Sequence, residues 1–566
     1  MLIVSLVPLL PLLAALIVLA GDEASRHERA KLAAYPFGGA FLGAVATLWW
    51  VATQGPITLR FYDPASPATL AFPIGFYIDR LSAIMMVLIS GVGTIIYHYS
   101  IGYMFQDPHD RRYLALIGVA TGVLLCMVSS ANLMMLFLFW QILSYLLYLL
   151  AHNHAHAATL EGAFRTFTLL RVGDVAFLSG TVLAYQLYGT LEFQSLFAKA
   201  AEMPVTLSPW PGFEISGPTA VTLLLFIGGM SKSAQFPLHI WLPRSLYAPT
   251  PVHALLHAGI INAGGFLINR LAPLFGLSST TLHVAFAVGT LTAVLGATMM
   301  LAQNDIKKTL GFSTIGQMGY MIMECGLGAF SLAVFHLIAH GLFKATVFLN
   351  CGNVIHKARL EPASPHADPH EEEKEFSPLT WSTGFVTTLL TPLLILLVTH
   401  GVLRIPLLES QGTVIFLFFI WITSSQAILT LTRLRAIASW KVSSAMLMTL
   451  LFVVFVYLFA AESFTAFLYP NPEEVAGYFQ AAHLPRWLFE GLVVTATIMT
   501  VLSWCYLYMR AHGQTMWLPR WMTGLRLRLY VLFLNRLYLD EAYQALGRAV
   551  MRVAHRIDKR DARWSE

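Results

Sequence analysis

Fifteen long apolar runs dominate this chain. They fall at about 2–20, 33–53, 81–101, 113–129, 131–150, 163–188, 219–239, 250–269, 282–302, 309–328, 330–350, 378–402, 412–432, 443–461 and 486–509. In hydrocarbon every backbone N–H and C=O must be bonded within the structure, so only helices and closed barrels cross it. Barrel strands show about ten residues of alternating polarity. These runs are instead continuous and near the ~20 residues a helix needs to span a bilayer. They predict fifteen spanning helices. Charged residues make up only 11% of the chain, against about 25% in a soluble domain. The first run, Leu2 to Ala20, lacks a basic lead and an A-x-A cleavage site, and reads as a retained span rather than a signal peptide. Cys126, Cys325, Cys351 and Cys505 are scattered singly, a spacing that offers neither a disulfide framework nor a zinc site.

Lysine and arginine in the loops set the expected orientation. Odd-numbered loops hold Arg26, Arg29 and Lys31; Arg111 and Arg112; Arg244; Lys307 and Lys308; Lys357, Arg359 and Lys374; and Arg433, Arg435 and Lys441. Even-numbered loops hold only Arg60, Lys199, Arg270, Arg404 and Arg486. The odd side is therefore expected to be cytoplasmic, with the N-terminus outside and the tail inside. That tail carries eleven basic residues between Arg510 and Arg563. Its stretch Arg526 to Arg560 looks amphipathic, as a helix lying on anionic lipid or docking on a partner would. The net charge of +5 is concentrated there, which argues for membrane topology and against nucleic acid. The chain divides into residues 1–112 (spans one to three), 113–432 (the core, spans four to thirteen), 433–509 (spans fourteen and fifteen) and 510–566 (the tail).

Several titratable groups interrupt the apolar runs. Lys232 lies in span seven and Pro237 follows five residues later. A lysine at membrane depth is costly and marks function, and a nearby proline permits a helix break. The bland alternative is a lysine that snorkels to the interface. His253 and His257, four apart in span eight, share one helical face. In span eleven His336, His340 and Lys344 recur every four residues, a stripe about 12 Å long at 1.5 Å per residue. Such a stripe suits a proton relay better than a satisfied core. Arg171 and Asp174, one turn apart in span six, fit either a packing ion pair or a carboxylate that tunes Lys232. Lys308 and Glu324 stand near opposite ends of span ten, as entry or exit groups or as ordinary helix-end charges. The Asp79–Arg80 pair opening span three reads as structural. Two histidine-bearing loops, 152–156 and 356–376, read as solvated or partner-binding surfaces, with metal binding the minor alternative. No metal site, catalytic site or cofactor is expected in this chain: it holds no phosphate-binding glycine loop, nucleophile elbow, zinc constellation or iron–sulfur spacing.

The segments FYIDRLSAIMM, LLRVGDVAFL, SKSAQFPLHIWLP, APTPVHALLHAG, NDIKKTLGFSTIGQMGYM and FHLIAHGLFKATVFL occur in this order. Together they resemble the proton-translocating, antiporter-like membrane subunits of respiratory complex I and Mrp antiporters. The resemblance runs from about Asp79 to Lys357, with a weaker echo in FLNRLYLDEAY (533–543). Within that superfamily, PVHALLHAGIINAGGFLINR, with its His253 and Asn262, is most similar to the membrane subunits of two-subunit DAB inorganic carbon pumps. The resemblance implies an all-α polytopic membrane protein with two inverted five-helix repeats, spans four to eight and nine to thirteen. Spans seven and twelve would be broken, and a C-terminal amphipathic helix would follow. It carries functional positions onto Lys232, His257, His336, His340 and Lys344. Two departures stand out. The glutamate that pairs with the span-seven lysine in complex I subunits is Gln141 here, and span twelve (378–398) has no lysine.

The resemblance further implies an ion-conducting coupling subunit, without a catalytic site of its own, in the bacterial inner membrane. Its partner would be a DabA-like cytoplasmic subunit similar to a β-carbonic anhydrase, carrying its own zinc. Proton entry through this chain would drive hydration of CO2 by that partner, which would dock over the 152–156 and 357–376 loops, helped by the basic tail. The alternatives are a NuoL-like proton-pumping subunit of complex I and an Mrp-type cation/proton antiporter subunit. A purely structural anchor would need neither Lys232 nor the span-eleven stripe.

Overall fold

The computed structural model describes residues 6–20, 25–62, 73–105, 107–151, 157–244, 248–360, 411, 462–511 and 520–562. Spans twelve to fourteen, the 152–156 loop and residues 361–376 lie outside the described residues. The first eleven runs are overlain by helices α1 (Leu9–Leu19), α2 (Ala34–Gln54), α3 (Arg80–Tyr103), α4 (Asp110–Val128), α5 (Leu133–Ala151), α6 (Ala157–Tyr188), α7 (Gly217–Lys232), α8 (Thr250–Arg270), α9 (Ser279–Ala302), α10 (Ile306–Gly326) and α11 (Phe330–Leu360). The fifteenth run forms α12 (Arg486–Ala511), and the tail adds α13 (Arg520–Leu534) and α14 (Leu539–Ala562). Eight of these are long and apolar enough to cross a membrane: α2 to α6, α8, α9 and α11.

Short polar side chains start several of the helices. Asp79 accepts from the Ser82 amide at 2.9 Å, Ser278 from Thr281 at 3.2 Å and Asp305 from Lys308 at 2.9 Å, each satisfying a donor the first turn leaves orphaned. Small residues then let helices approach closely. On α9 and α10 the contact is backbone to backbone: a Cβ added at Gly319 would lie 2.4 Å from the Ala293 nitrogen, and one at Gly296 would lie 2.4 Å from the Gly316 nitrogen.

Two strand pairs correct the all-α expectation. β1 (Ile57–Tyr62) pairs antiparallel with β2 (Ile74–Ile78), and β3 (Thr206–Trp210) with β4 (Phe213–Ser216). Both lie in even-numbered loops, where no bilayer forces the backbone into a helix. From β2 a collar extends: bridges join Phe76 to Ser130 and Asn132 to Glu192, and Arg60 meets Glu192 at 2.8 Å. Arg270 closes the same end, holding Asp79 through both carboxylate oxygens at 2.6 and 3.0 Å and donating to Ser82. Asp79 is therefore the partner of Arg270 rather than of Arg80, which donates to the Phe467 carbonyl. Loops one and three meet each other beyond the other end of α3. There Arg26 bonds Asp110 at 2.8 Å, Arg111 donates to the Val18 carbonyl, and the Tyr99 hydroxyl donates to the Leu349 carbonyl.

Two irregularities interrupt the helices, the first where Pro237 signals a break and the second without a signal in the sequence. α7 stops at Lys232, and the chain resumes only as short turns at Leu238–Ile240 and Trp241–Arg244. α8 carries a π-helical turn over Leu256–Ile260, a feature frequent at functional sites. The tail departs from the single amphipathic helix expected of it. Arg536, Leu537 and Tyr538 adopt φ of 56°, 59° and 53°, which divides it into α13 and α14. The Tyr543 hydroxyl of α14 donates to the Pro237 carbonyl at 3.3 Å, so the tail reaches back to the break after α7.

Candidate ion-translocation site

Lys232 is fully buried and is the last residue of α7. Its Nζ donates to the Trp140 carbonyl at 3.0 Å and to the Ser144 hydroxyl. The Trp140 ring lies 4.9 Å from the same nitrogen, within cation–π range. Trp140 and Ser144 stand four apart on α5 and so present one face. Behind them, Asp174 accepts from Trp140 Nε1 at 2.9 Å and forms an ion pair with Arg171 at 3.1 Å. Arg171 also donates to Gln141. Trp140 thus stands between Asp174 and Lys232, and Gln141 is a partner of Arg171.

The next cluster lies where α8 meets α11. His253 and His257 have ring centroids 6.5 Å apart, and Phe348 stacks on His257 at 4.4 Å and on His253 at 5.6 Å. His257 sits inside the π-helical turn, within electrostatic range of His340 and Lys344. Asn262 donates to the carbonyls of His257 and Ala258 at 3.1 and 3.2 Å, bonding backbone that the irregular turn would otherwise leave poorly paired. Neither ring nitrogen of His257 or of His340 has a hydrogen-bond partner among the described residues. Such groups are destabilising in a packed interior and call for an explanation.

α11 buries the whole stripe of His336, His340 and Lys344. His336 Nδ1 lies 3.2 Å from Glu324 Oε2, and Nε2 lies 2.9 Å from Gln317 Oε1. The His340 ring follows at 6.4 Å from His336. Lys344 Nζ donates to Ser313 Oγ at 2.9 Å and approaches the Leu310 carbonyl at 3.4 Å. Glu324 is therefore a buried partner of the stripe rather than a surface helix-end charge. Lys308 is not brought into it: half-buried at the start of α10, it lies sixteen residues before Glu324, about 24 Å along the axis.

Trp140, Ser144, Gln317 and Ser313 were not singled out in the sequence. A periodicity signal existed for two of them, since Ser313, Gln317 and Glu324 fall at i, i+4 and i+11 on one face of α10. Among the described residues no three His, Cys, Asp or Glu side chains converge in a way that could hold a metal ion. The chemistry on offer is proton exchange between buried amines, imidazoles and carboxylates.

Comparison with known proteins accords with this geometry. Residues 130–364 match the family described as NADH:quinone oxidoreductase/Mrp antiporter, and residues 65–114 match the N-terminus of complex I chain 5. Subunit L of the NADH-quinone oxidoreductase of Neisseria meningitidis is 37% identical over 56% of this chain and 48% of that protein. In solved structures, a chain of the Mrp complex from Dietzia sp. superposes with a TM-score of 0.57 at 18% identity, covering 98% of this chain and 60% of that one. A chain of an archaeal membrane-bound sulfane sulfur reductase gives 0.58 at 20%, covering 85% and 99%. At these identities the two structures speak for the fold alone. The chain belongs to the antiporter-like family of membrane subunits shared by complex I and Mrp antiporters, and it is an integral membrane protein.

A full-length match narrows this. The probable inorganic carbon transporter subunit DabB1 of Halothiobacillus neapolitanus is 38% identical over 564 residues, 98% of each chain. Within the antiporter-like family, this chain is a member of the DabB subunits.

Proposed function

We propose that this chain is the proton-conducting subunit of an inorganic carbon uptake complex in the bacterial inner membrane. The observation that carries the reading is the set of buried titratable groups: Lys232 on α7, His257 on α8, and the α11 stripe His336, His340 and Lys344, with Glu324 at its His336 end. Buried imidazoles of His257 and His340 whose nitrogens have no hydrogen-bond partner among the described residues suit groups that pass a proton rather than hold the fold. His253 extends the series on α8, and Asp174 sets the electrostatics of Lys232 through Trp140. The odd-loop face is cytoplasmic, by its excess of Lys and Arg, with the N-terminus outside. Proton flow would drive a DabA-like partner similar to a β-carbonic anhydrase, whose own zinc performs CO2 hydration. This chain then supplies coupling and has no catalytic site or cofactor of its own.

Purification of the tagged chain from native membranes tests the reading. A zinc-containing, carbonic-anhydrase-like chain is expected to co-purify, and a protonophore is expected to abolish inorganic carbon uptake by cells expressing the pair. Recovery of NADH dehydrogenase or Mrp subunits instead would overturn it in favour of a complex I or antiporter role.

A further inference from the structure

Where α14 crosses α6, an open pocket of about 640 Å³ is lined by Arg165, Gln544, Gly547, Arg548, Met551 and Arg552. It holds three guanidiniums. Neither Arg548 nor Arg552 meets a carboxylate among the described residues, and Arg552 Nε donates only to the Arg548 carbonyl. The two arginines stand at i and i+4 on one face of α14, where like charges repel unless an anion lies between them. Arg165 belongs to α6, so the positive charge is assembled from two elements distant in sequence. The Tyr543–Pro237 bond ties α14 to the break after α7. Of the lining, Met551 is 71% exposed, and outside the pocket α6 carries exposed apolar side chains at Phe164, Val172 and Val175.

We infer that this pocket binds an anionic phospholipid from the odd-loop leaflet. The phosphate sits among Arg165, Arg548 and Arg552, and the acyl chains run along the exposed side of α6. A free oxyanion such as bicarbonate or phosphate would satisfy the same guanidiniums, but it would leave Met551, Phe164 and Val172 uncovered. Guanidinium fits phosphate oxygens through paired N–H donors, and basic pockets beside spanning helices suit lipid headgroups.

Native mass spectrometry of the full-length protein, titrated with phosphatidylglycerol or phosphatidylcholine, tests this directly. The wild-type protein is expected to bind phosphatidylglycerol in preference. R548Q/R552Q should weaken that binding by about thirtyfold, about 2 kcal/mol for two charges near the surface, with phosphatidylcholine binding unchanged. R548K/R552K, which keeps the charges, should retain most of it. If the double glutamine variant does not elute as folded protein, R552Q alone should show about a fivefold loss. Equal phosphatidylglycerol binding by wild type and glutamine variants overturns the inference. So does displacement of the lipid from wild type by millimolar bicarbonate or phosphate, which would mark the pocket as a free-anion site.

Discussion

Replacing Asp174 by Asn separates two roles that its position combines. Its two oxygens face different partners: Trp140 Nε1 at 2.9 Å and Arg171 at 3.1 Å. Asparagine keeps an acceptor for the indole and removes the charge. Exposed ion pairs are worth about 0–1 kcal/mol, whereas breaking a buried one costs about 3–5 kcal/mol. The side chain of Asp174 is 5% exposed and that of Arg171 is 35% exposed, so this pair lies between those limits. A loss of about 2 kcal/mol follows, about thirtyfold in any equilibrium that depends on the pair. The assay is uptake of labelled inorganic carbon by cells, normalised to the amount of this chain in the membrane. The companion variant is Arg171→Met, alone and combined with Asp174→Asn. If the pair only locks packing, removing both charges together restores uptake, with a coupling energy of about 2 kcal/mol. If Asp174 also conditions Lys232 across Trp140, the double variant stays as impaired as Asp174→Asn, which is the expected outcome. Gln141→Ala removes one hydrogen bond and no charge, about 1 kcal/mol, and should be milder. Restoration by Arg171→Met, or a more severe defect in Gln141→Ala, would refute the reasoning.

Lys232→Ala and His340→Ala should each abolish growth at ambient CO2 while the protein stays in the membrane; normal growth of both sinks the relay. Glu324→Gln keeps an acceptor for His336 but not its charge, and should lower uptake about tenfold, since hydrogen bonds to charged groups contribute about 1.5–3 kcal/mol; unchanged uptake would make Glu324 a spectator. Gly319→Leu forces a side chain against the Ala293 backbone, so thermal unfolding of the detergent-solubilised protein should shift by the equivalent of about 3 kcal/mol or the chain should fail to accumulate; a wild-type melting curve would contradict the close approach. Deleting residues 362–373, outside the described residues, should reduce recovery of the cytoplasmic partner in detergent without changing the level of this chain; an intact complex that takes up carbon normally places the docking surface elsewhere.

The eight helices of spanning length among the described residues were legible because a bilayer leaves so few options: an apolar run of about 20 residues crosses it as a helix. The break after Lys232 was legible for a related reason, since Pro237 sits where a continuous helix would need an amide hydrogen. The stripe on α11 showed itself by spacing alone. What the sequence hid was the identity of partners. Nothing in YIDRLS says that Asp79 will hold Arg270, 191 residues away, rather than the adjacent Arg80. Trp140 and Ser144 were hidden because their residue types are ordinary in an apolar helix, and the decisive contact to Lys232 comes partly from a backbone carbonyl, which no side-chain pattern encodes. The strands carry no such signal, because they lie in loops where lipid imposes no constraint on the backbone.

The contact between α9 and α10 has a mechanical consequence. With glycine backbones touching, the two helices have no side-chain layer in which to slide or rotate, so they act as one stiff beam. Ser313, Gln317 and Glu324 are fixed marks along that beam, and they grip Lys344 and His336 at the two ends of the α11 stripe. The distance between those grips is set by helical rise, not by the state of the ion path. In the proposed relay, charge moving along α11 would meet receptors that do not retreat, with His340, gripped by neither, as the free member of the stripe.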